Sequence, residues 1–362
     1  MSSTKTIRWG IIGTGRIAKD FASSLSEIPN TQLLAIASRT LSKAQEYATK
    51  YKVPRAYGSY EEMLNDGEID VVYVATPHAR HKDDCIMCLQ AGKAVLCEKP
   101  FTVNAQEAKE VIAVAREKQL FCMEAMWMRF LPLIIKVQDL VSSGVIGKVR
   151  RITADFGYPA EFNPESRLFN PNLGGGALLD RGVYPLSLVF MLLGAPRGIV
   201  TQASIGQTGV DEQSAMILSY PQGELAILSS SLRSETSNEA VIIGTKGEIK
   251  LHAPFYKPHR LSIKQFSEDV VVSSSQSSGL KAKIKQNKLL NNLYYQLDSY
   301  IFPLIKSSGK DILQPVEGNG YGYEAAEVVR CLQNGLMESK IMPLDETVKI
   351  LETVDAIRSQ WS

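Results

Sequence analysis

At 362 residues the chain is long enough for two domains of roughly 150 residues or more, each able to bury its own core. Its 40 Lys and Arg against 38 Asp and Glu leave a formal charge of +2, which excludes a global electrostatic pull toward nucleic acid or a membrane surface. Four histidines and five scattered cysteines (Cys85, Cys88, Cys97, Cys122 and Cys331) argue against a disulfide framework and against a metal site, and free thiols fit a cytoplasmic setting.

The short polar lead and the apolar run 7–12 lack the pattern of a secretory signal, and no run reads as an integral membrane segment. Residues 1–125 alternate two periodicities. Apolar runs at 7–12, 32–38, 71–76, 94–97 and 121–124 read as buried strands. Amphipathic stretches at 18–25, 42–51, 60–65, 80–91 and 104–118 read as helices, the last capped by Asn104. Such alternation predicts a parallel, doubly wound α/β sheet of the Rossmann type with helices on both faces.

After residue 126 the pattern changes. Helices are predicted at 132–142 and 183–193, with strands at 149–156, 198–205, 214–220, 224–232, 239–244, 247–251 and 260–266. Tight turns such as Pro221-Gln222-Gly223 and Thr245-Lys246-Gly247 separate several of them. An α+β domain over 126–362 follows, built on an open, mainly antiparallel meander with helices on one side. Residues 273–309 read as an insertion: Ser-rich, then carrying Lys281, Lys283, Lys285 and Lys288, then apolar and aromatic. They are expected to lie over their own protein or a dimer mate; the alternative is a basic amphipathic helix docking on a membrane. Helices at 323–336 and 344–360 close the chain. The strand 224–232 is apolar on both faces at its start, as expected if a homodimer or higher homo-oligomer covers the open sheet.

The first strand runs into Gly13-Thr14-Gly15-Arg16-Ile17-Ala18, a G-x-G-x-x-A turn that opens a helix. Gly13 permits the tight turn, Gly15 lets backbone approach a pyrophosphate, and the helix start at Arg16 and Ile17 favours an anion. In this strand-turn-helix context the motif is a strong dinucleotide signature. The second strand ends in Ser38-Arg39-Thr40, and no acid occurs from Gln32 to Gln45. An acid there would hold the ribose hydroxyl of NAD, whereas Ser38 and Arg39 suit a 2′-phosphate, so NADP is expected before NAD.

The fourth strand ends in Glu98-Lys99-Pro100, where a parallel sheet binds its ligands. Further on, Gly174-Gly175-Gly176 precedes Asp180 and Tyr184, which are four apart and so share a face on a helix. Together with Thr76-Pro77-His78 and His81, Ala91-Gly92-Lys93, and the Gly-Gly-Gly-x-x-x-Asp-x-Gly-x-Tyr run, these motifs resemble the Gfo/Idh/MocA oxidoreductases over nearly the whole chain, from Ile7 to about Ile357. Within that family, the runs 124–130 and 320–325 are most similar to the branch holding dimeric dihydrodiol dehydrogenases and NADP-dependent D-xylose dehydrogenases.

The resemblance implies that Lys99 and Tyr184 are catalytic and that Thr76, Pro77, His78, His81 and Glu98 surround the cofactor. His78 stands where the family commonly has Asn. Trp127 and Phe156 resemble substrate-pocket aromatics, which suit a sugar face or a cyclic diene. Arg129 is expected either to bind substrate oxygens or to form a buried ion pair, and Asp180 to orient Lys99 or a substrate hydroxyl or simply to sit at a helix start. Tyrosine at a pKa of about 10 is a poor base at neutral pH, and the Lys99 ammonium is expected to lower it. The implied function is NADP-dependent hydride transfer at a carbinol or carbonyl carbon of a sugar or cyclic diol, Tyr184 relaying the proton. The alternative on this fold is a non-catalytic sensor that binds dinucleotide and sugar without turnover.

Overall fold

The computed structural model describes residues 5–266 and 309–361. Strands β1 (Ile7–Ile12), β2 (Thr31–Ala37), β3 (Arg55–Tyr57), β4 (Val71–Val74), β5 (Ala94–Glu98) and β6 (Cys122–Ala125) form one sheet in the order β3-β2-β1-β4-β5-β6, every pair parallel. Helices α1 (Arg16–Leu25), α2 (Leu41–Tyr51), α3 (Tyr60–Leu64), α4 (His81–Gln90) and α5 (Ala105–Lys118) connect them. The strands are apolar on both faces because helices cover both. Trp9, Phe21 and Tyr73 are fully buried, with Phe21 stacked on Tyr73 at 3.8 Å between centroids. Asn104 caps α5, its side chain accepting from the Glu107 N–H at 2.9 Å. Strand order reverses between β1 and β4, so their carboxyl ends open a crevice at the switch point.

The second sheet holds β7 (Val149–Gly157), β8 (Gly198–Ile205), β9 (Asp211–Ser219), β10 (Leu225–Ser231), β11 (Ala240–Gly244), β12 (Gly247–Leu251), β13 (Arg260–Gln265) and β14 (Gly309–Leu313), in the order β14-β13-β12-β11-β7-β10-β9-β8. This corrects the expected meander: β7 lies between β11 and β10, and its pairing with β10 is parallel. The long connection through α7 (Val183–Leu193) carries the chain from β7 to the outer edge, from which β8, β9 and β10 return. Ile152, Met216, Leu218, Ala226 and Leu228 are buried, on the face that packs under α7. On the opposite face Val200, Ile217 and Ile227 stand in register across three strands and are exposed.

Among the described residues the remaining α-helices are α6 (Pro132–Ser142), α8 (Tyr321–Gln333) and α9 (Leu344–Arg358). The last two return to the first sheet's layer. α8 packs on α1, while α9 is tied to α5, where the Ala105 N–H donates to Asp355 at 2.9 Å, and Arg358 donates to the Val103 carbonyl at 3.0 Å. The stretch Pro171–Leu193 is, against expectation, long and apolar enough to span a membrane, but it is mostly buried under the sheet and serves as core. The insertion at 273–309 lies outside the described residues except for Gly309, which opens β14.

Candidate active site

The nucleotide end is built by backbone geometry. Gly13 has φ +101°, and a Cβ there would sit 2.6 Å from the Ala75 carbonyl oxygen, so only glycine fits between β1 and β4. Gly15 precedes α1 in an extended conformation, with no side chain capping the helix and no acid in its first turn. A Cβ on Gly15 would meet nothing within 4 Å. The first-turn N–H groups of α1 therefore face open space with their donors unspent, the arrangement that receives a pyrophosphate. Ser38, Arg39, Thr40 and Lys43 line the same end, and Arg16 extends into solvent above it.

One cleft of about 1560 Å³ runs from this helix start to an aromatic box in the second domain. That exceeds the roughly 300–1,000 Å³ that holds one drug-sized ligand, so a dinucleotide and a second molecule fit together. Gly13, Gly15, Arg16, Ile17, Ser38, Arg39, Thr76, Pro77, His78, His81, Glu98, Lys99, Trp127, Phe156, Asp180 and Tyr184 all line it, and of the expected cofactor, catalytic and substrate residues Arg129 alone does not. Arg129 is 1% exposed, donates to the Ser187 hydroxyl and carbonyl, both at 2.7 Å, and pairs with Glu346. It is the buried ion pair of the two expected roles and lies outside the cleft lining.

In the middle of the cleft, His81 is a brace: its Nδ1 lies 2.8 Å from the Pro100 carbonyl and its Nε2 2.9 Å from that of Thr76. The Thr76 hydroxyl donates to Asp84 at 2.7 Å, which Arg80 also holds. Pro77 leads into the turn carrying His78. Burial, then the neighbouring His81 and Lys99, push His78 down to about 3, so its ring is neutral. Nδ1 faces the Gly174 carbonyl at 2.9 Å and must carry the proton, which leaves Nε2 as an acceptor. A group held against this Nε2 must therefore donate to it. Glu98 takes the Tyr73 hydroxyl on one oxygen and the Lys99 N–H on the other at 3.1 Å, and burial raises its carboxyl.

The substrate end is organised around Asp180. It lies in a π-helical turn, Leu178–Gly182, that runs into α7, and such turns recur at functional sites. Asp211 holds this turn, its carboxylate accepting from the Leu178 N–H at 2.7 Å. Gly176 has φ +118°, and a Cβ there would overlap Asp211 Oδ1. The Lys99 ammonium donates to the Asp180 carbonyl at 2.7 Å and to its Oδ1 at 3.3 Å, leaving one of its three N–H groups. Arg167 donates to the same Oδ1 at 2.7 Å. Burial would raise the Asp180 carboxyl, but Lys99 and Arg167 hold it well below the usual range.

Lys99 Nζ stands 5.0 Å from the centre of the Tyr184 ring, and Trp127 Nε1 donates to the Tyr184 hydroxyl at 3.0 Å. The phenol is nevertheless raised well above its ordinary value, by burial and by Glu98, Asp180 and Glu324. This corrects the expectation that Lys99 lowers it: the Lys99 donors are turned to Asp180. Phe156 stacks on Tyr256 at 4.2 Å with 9° between planes, and Tyr184 and Trp127 meet Tyr256 edgewise or tilted. Trp127 also contacts Tyr321 at 5.0 Å. Arg167, Tyr256 and Tyr321 were not among the candidates. The first two lie in irregular segments without periodicity; Tyr321 stood inside the motif 320–325 but carried no assigned role.

Residues 7–126 match the oxidoreductase family with an NAD-binding Rossmann fold, and residues 134–250 match the GFO/IDH/MocA C-terminal domain. The trans-1,2-dihydrobenzene-1,2-diol dehydrogenases of Xenopus laevis and Bos taurus are 37% and 35% identical, covering 98% and 97% of this chain and 97% and 96% of theirs. Among solved structures, KijD10, a 3-ketoreductase from Actinomadura kijaniata, superposes with a TM-score of 0.78 at 24% identity, covering 99% of this chain and 98% of that one. The aldose-aldose oxidoreductase of Caulobacter crescentus superposes with a TM-score of 0.80 at 22% identity, covering 98% and 97%. With both domains matched and full-length relatives above a third identical, the chain belongs to the GFO/IDH/MocA family and is an oxidoreductase acting on CH–OH groups.

Proposed function

We propose that this protein is an NADP-dependent dehydrogenase or reductase that moves a hydride to or from a carbinol carbon of a sugar or cyclic diol. One observation carries the reading: Lys99, Asp180, Tyr184 and Trp127 converge at one end of a cleft whose other end is the open N-terminus of α1. Bound NADP supplies the hydride donor or acceptor. The first-turn N–H groups of α1 would hold its pyrophosphate, and Ser38, Arg39, Thr40 and Lys43 its 2′-phosphate. The absence of an acid from 32 to 45 supports NADP, as does the Actinomadura ketoreductase, solved with NADP.

Tyr184 gives its proton to the carbonyl oxygen in reduction and takes it back in oxidation, while the remaining Lys99 N–H donates to that oxygen. A raised phenol keeps its proton through neutral pH, which suits the proton donor of the reductive direction. Asp180 positions Lys99, and the stacked Phe156 and Tyr256 offer a wall for the flat face of a ring. The diol named for the curated relatives supports this substrate class. The exposed row Val200, Ile217 and Ile227 supports a homodimer through that sheet face, and five buried free cysteines support a cytoplasmic location.

The test is NADP+ reduction, read at the NADPH absorbance, over aldoses, inositols and cyclic diols with wild type, Lys99→Met and Tyr184→Phe. Turnover by wild type, lost in both variants with NADP+ still bound, supports the reading. Tight NADP+ binding with no turnover of any compound would instead identify a sensor.

A further inference from the structure

We infer that Arg167 reads a carboxylate on the substrate, set one or two bonds from the reacting carbinol, so that the preferred substrate is a hydroxy acid. This rests on the hydride-transfer reading above and puts a carboxylate beside the carbinol of its substrate.

Arg167 sits in the irregular connection between β7 and α7, yet its surroundings are fixed. Phe169, two residues on, is fully buried, and the Gly176 N–H donates to the Leu168 carbonyl at 2.9 Å. The loop thus presents the guanidinium from an anchored backbone. The side chain lines the cleft and is 52% exposed. Only Nη1 is engaged, by Asp180; the other guanidinium N–H groups have no acceptor among the described residues. An arginine that only neutralised Asp180 could do so buried. This one leaves one edge of a rigid donor fork open to the cleft, and that fork matches a carboxylate in two parallel hydrogen bonds.

Distance selects the ligand. Arg167 and Lys99 share Asp180 Oδ1 at 2.7 and 3.3 Å, so the two cations stand at most about 6 Å apart. If Lys99 holds the reacting oxygen, Arg167 reaches a group on the neighbouring carbon or the next. A carboxylate attached there satisfies both; a nucleotide phosphate on a longer tether overshoots. The other walls at this end are Trp127, Phe156 and Tyr256, which suit the apolar face of the same molecule and offer an anion no competing cation.

The probes are trans-2-hydroxycyclohexanecarboxylate and trans-1,2-cyclohexanediol, which differ in one group beside the carbinol. Their dissociation constants are measured by calorimetry on NADP+-loaded wild type, Arg167→Lys and Arg167→Met, with thermal melts to verify folding. The hydroxy acid should bind wild type at least about tenfold more tightly than the diol, as a charge-assisted pair requires. Arg167→Met should erase that ratio, Arg167→Lys should keep part of it, and affinity for NADP+ should move less than threefold. Equal binding of the two probes to wild type, binding of neither, or a ratio unchanged in Arg167→Met overturns the inference. So does a loss in Arg167→Met that falls on NADP+ instead, which would make Arg167 a cofactor contact. NADPH formation in the aldose and diol screen reports hydride transfer separately: turnover there with equal probe binding refutes only the carboxylate.

Discussion

Replacing Asp180 with Asn tests the centre of the site, because it removes one charge and leaves two cations facing one amide. At an effective dielectric of about 20, Lys99 at 3.3 Å from Oδ1 gains about 5 kcal/mol from the carboxylate before desolvation is counted. Lys99 and Arg167, at 3.3 and 2.7 Å from that oxygen, would then repel across about 6 Å by about 3 kcal/mol, less for solvent around the half-exposed Arg167. Net losses on breaking a buried pair run to about 3–5 kcal/mol, so Lys99 should leave its place over Tyr184. Losing one donor to a developing oxyanion costs about 10²–10³ in kcat. We therefore expect kcat for a neutral diol to fall by about that factor in Asp180→Asn, with KM for NADP+ little changed. The double variant Asp180→Asn/Arg167→Met should recover part of the loss, since it also removes the repulsion. Steady-state rates at the NADPH absorbance decide it. An Asp180→Asn enzyme within threefold of wild type, or a double variant as slow as the two single losses multiplied, would show that Asp180 does not position Lys99.

Other expectations follow from the same geometry. Tyr184→Phe should lower kcat by about 10²–10⁴ while NADP+ binding measured by fluorescence persists. Because the Tyr184 phenol is raised well above 10, oxidation by wild type should quicken about tenfold per pH unit from neutral into the alkaline range, and reduction should stay flat; initial rates in both directions check this. Arg39→Asp should weaken NADP+ at least about tenfold and spare NAD+, as paired titrations would reveal. Asp211 is pushed from 3.8 up to about 7, chiefly by burial. A carboxyl raised on folding favours the folded state below its unfolded pKa, and that contribution disappears as pH climbs through the folded value. Stability should therefore fall between about pH 4 and pH 7, by up to about 4 kcal/mol, and Asp211→Asn should flatten that slope in urea titrations.

How far the fold could be read in advance depended on what each element encodes locally. β8, β12 and α7 have the predicted bounds because each is a sustained run closed by turn or helix-stop residues. β3 is three residues long, too short for any alternation to register. β14, Gly-Lys-Asp-Ile-Leu, is a mostly exposed edge strand whose residues carry no core pattern. The parallel union of β7 with β10 has no signature in either strand, since a period of two says which face is buried and nothing of the neighbour. It comes instead from the length of the α7 connection, a property of the whole domain.

At the site, what could be read was whatever a single residue type demands: a turn only glycine can make, a lysine at a strand end, a missing acid. What could not be read was direction and charge balance. Trp127 and Arg129 occupy one 3₁₀ turn, in which residues two apart point to different sides, so the tryptophan enters the cleft and the arginine joins Ser187 and Glu346. The Tyr184 phenol is set by burial, by Glu98 and Glu324 from two other segments and by Asp180 one turn before it, against which one lysine aimed at Asp180 has little effect. The same carboxylate oxygen binds both Lys99 and Arg167. A loop that bears on substrate choice and the lysine that bears on chemistry thus share one acceptor. A substrate anion on the free edge of Arg167 partly neutralises the cation that competes with Lys99 for this oxygen, so recognition and positioning are coupled through a single atom.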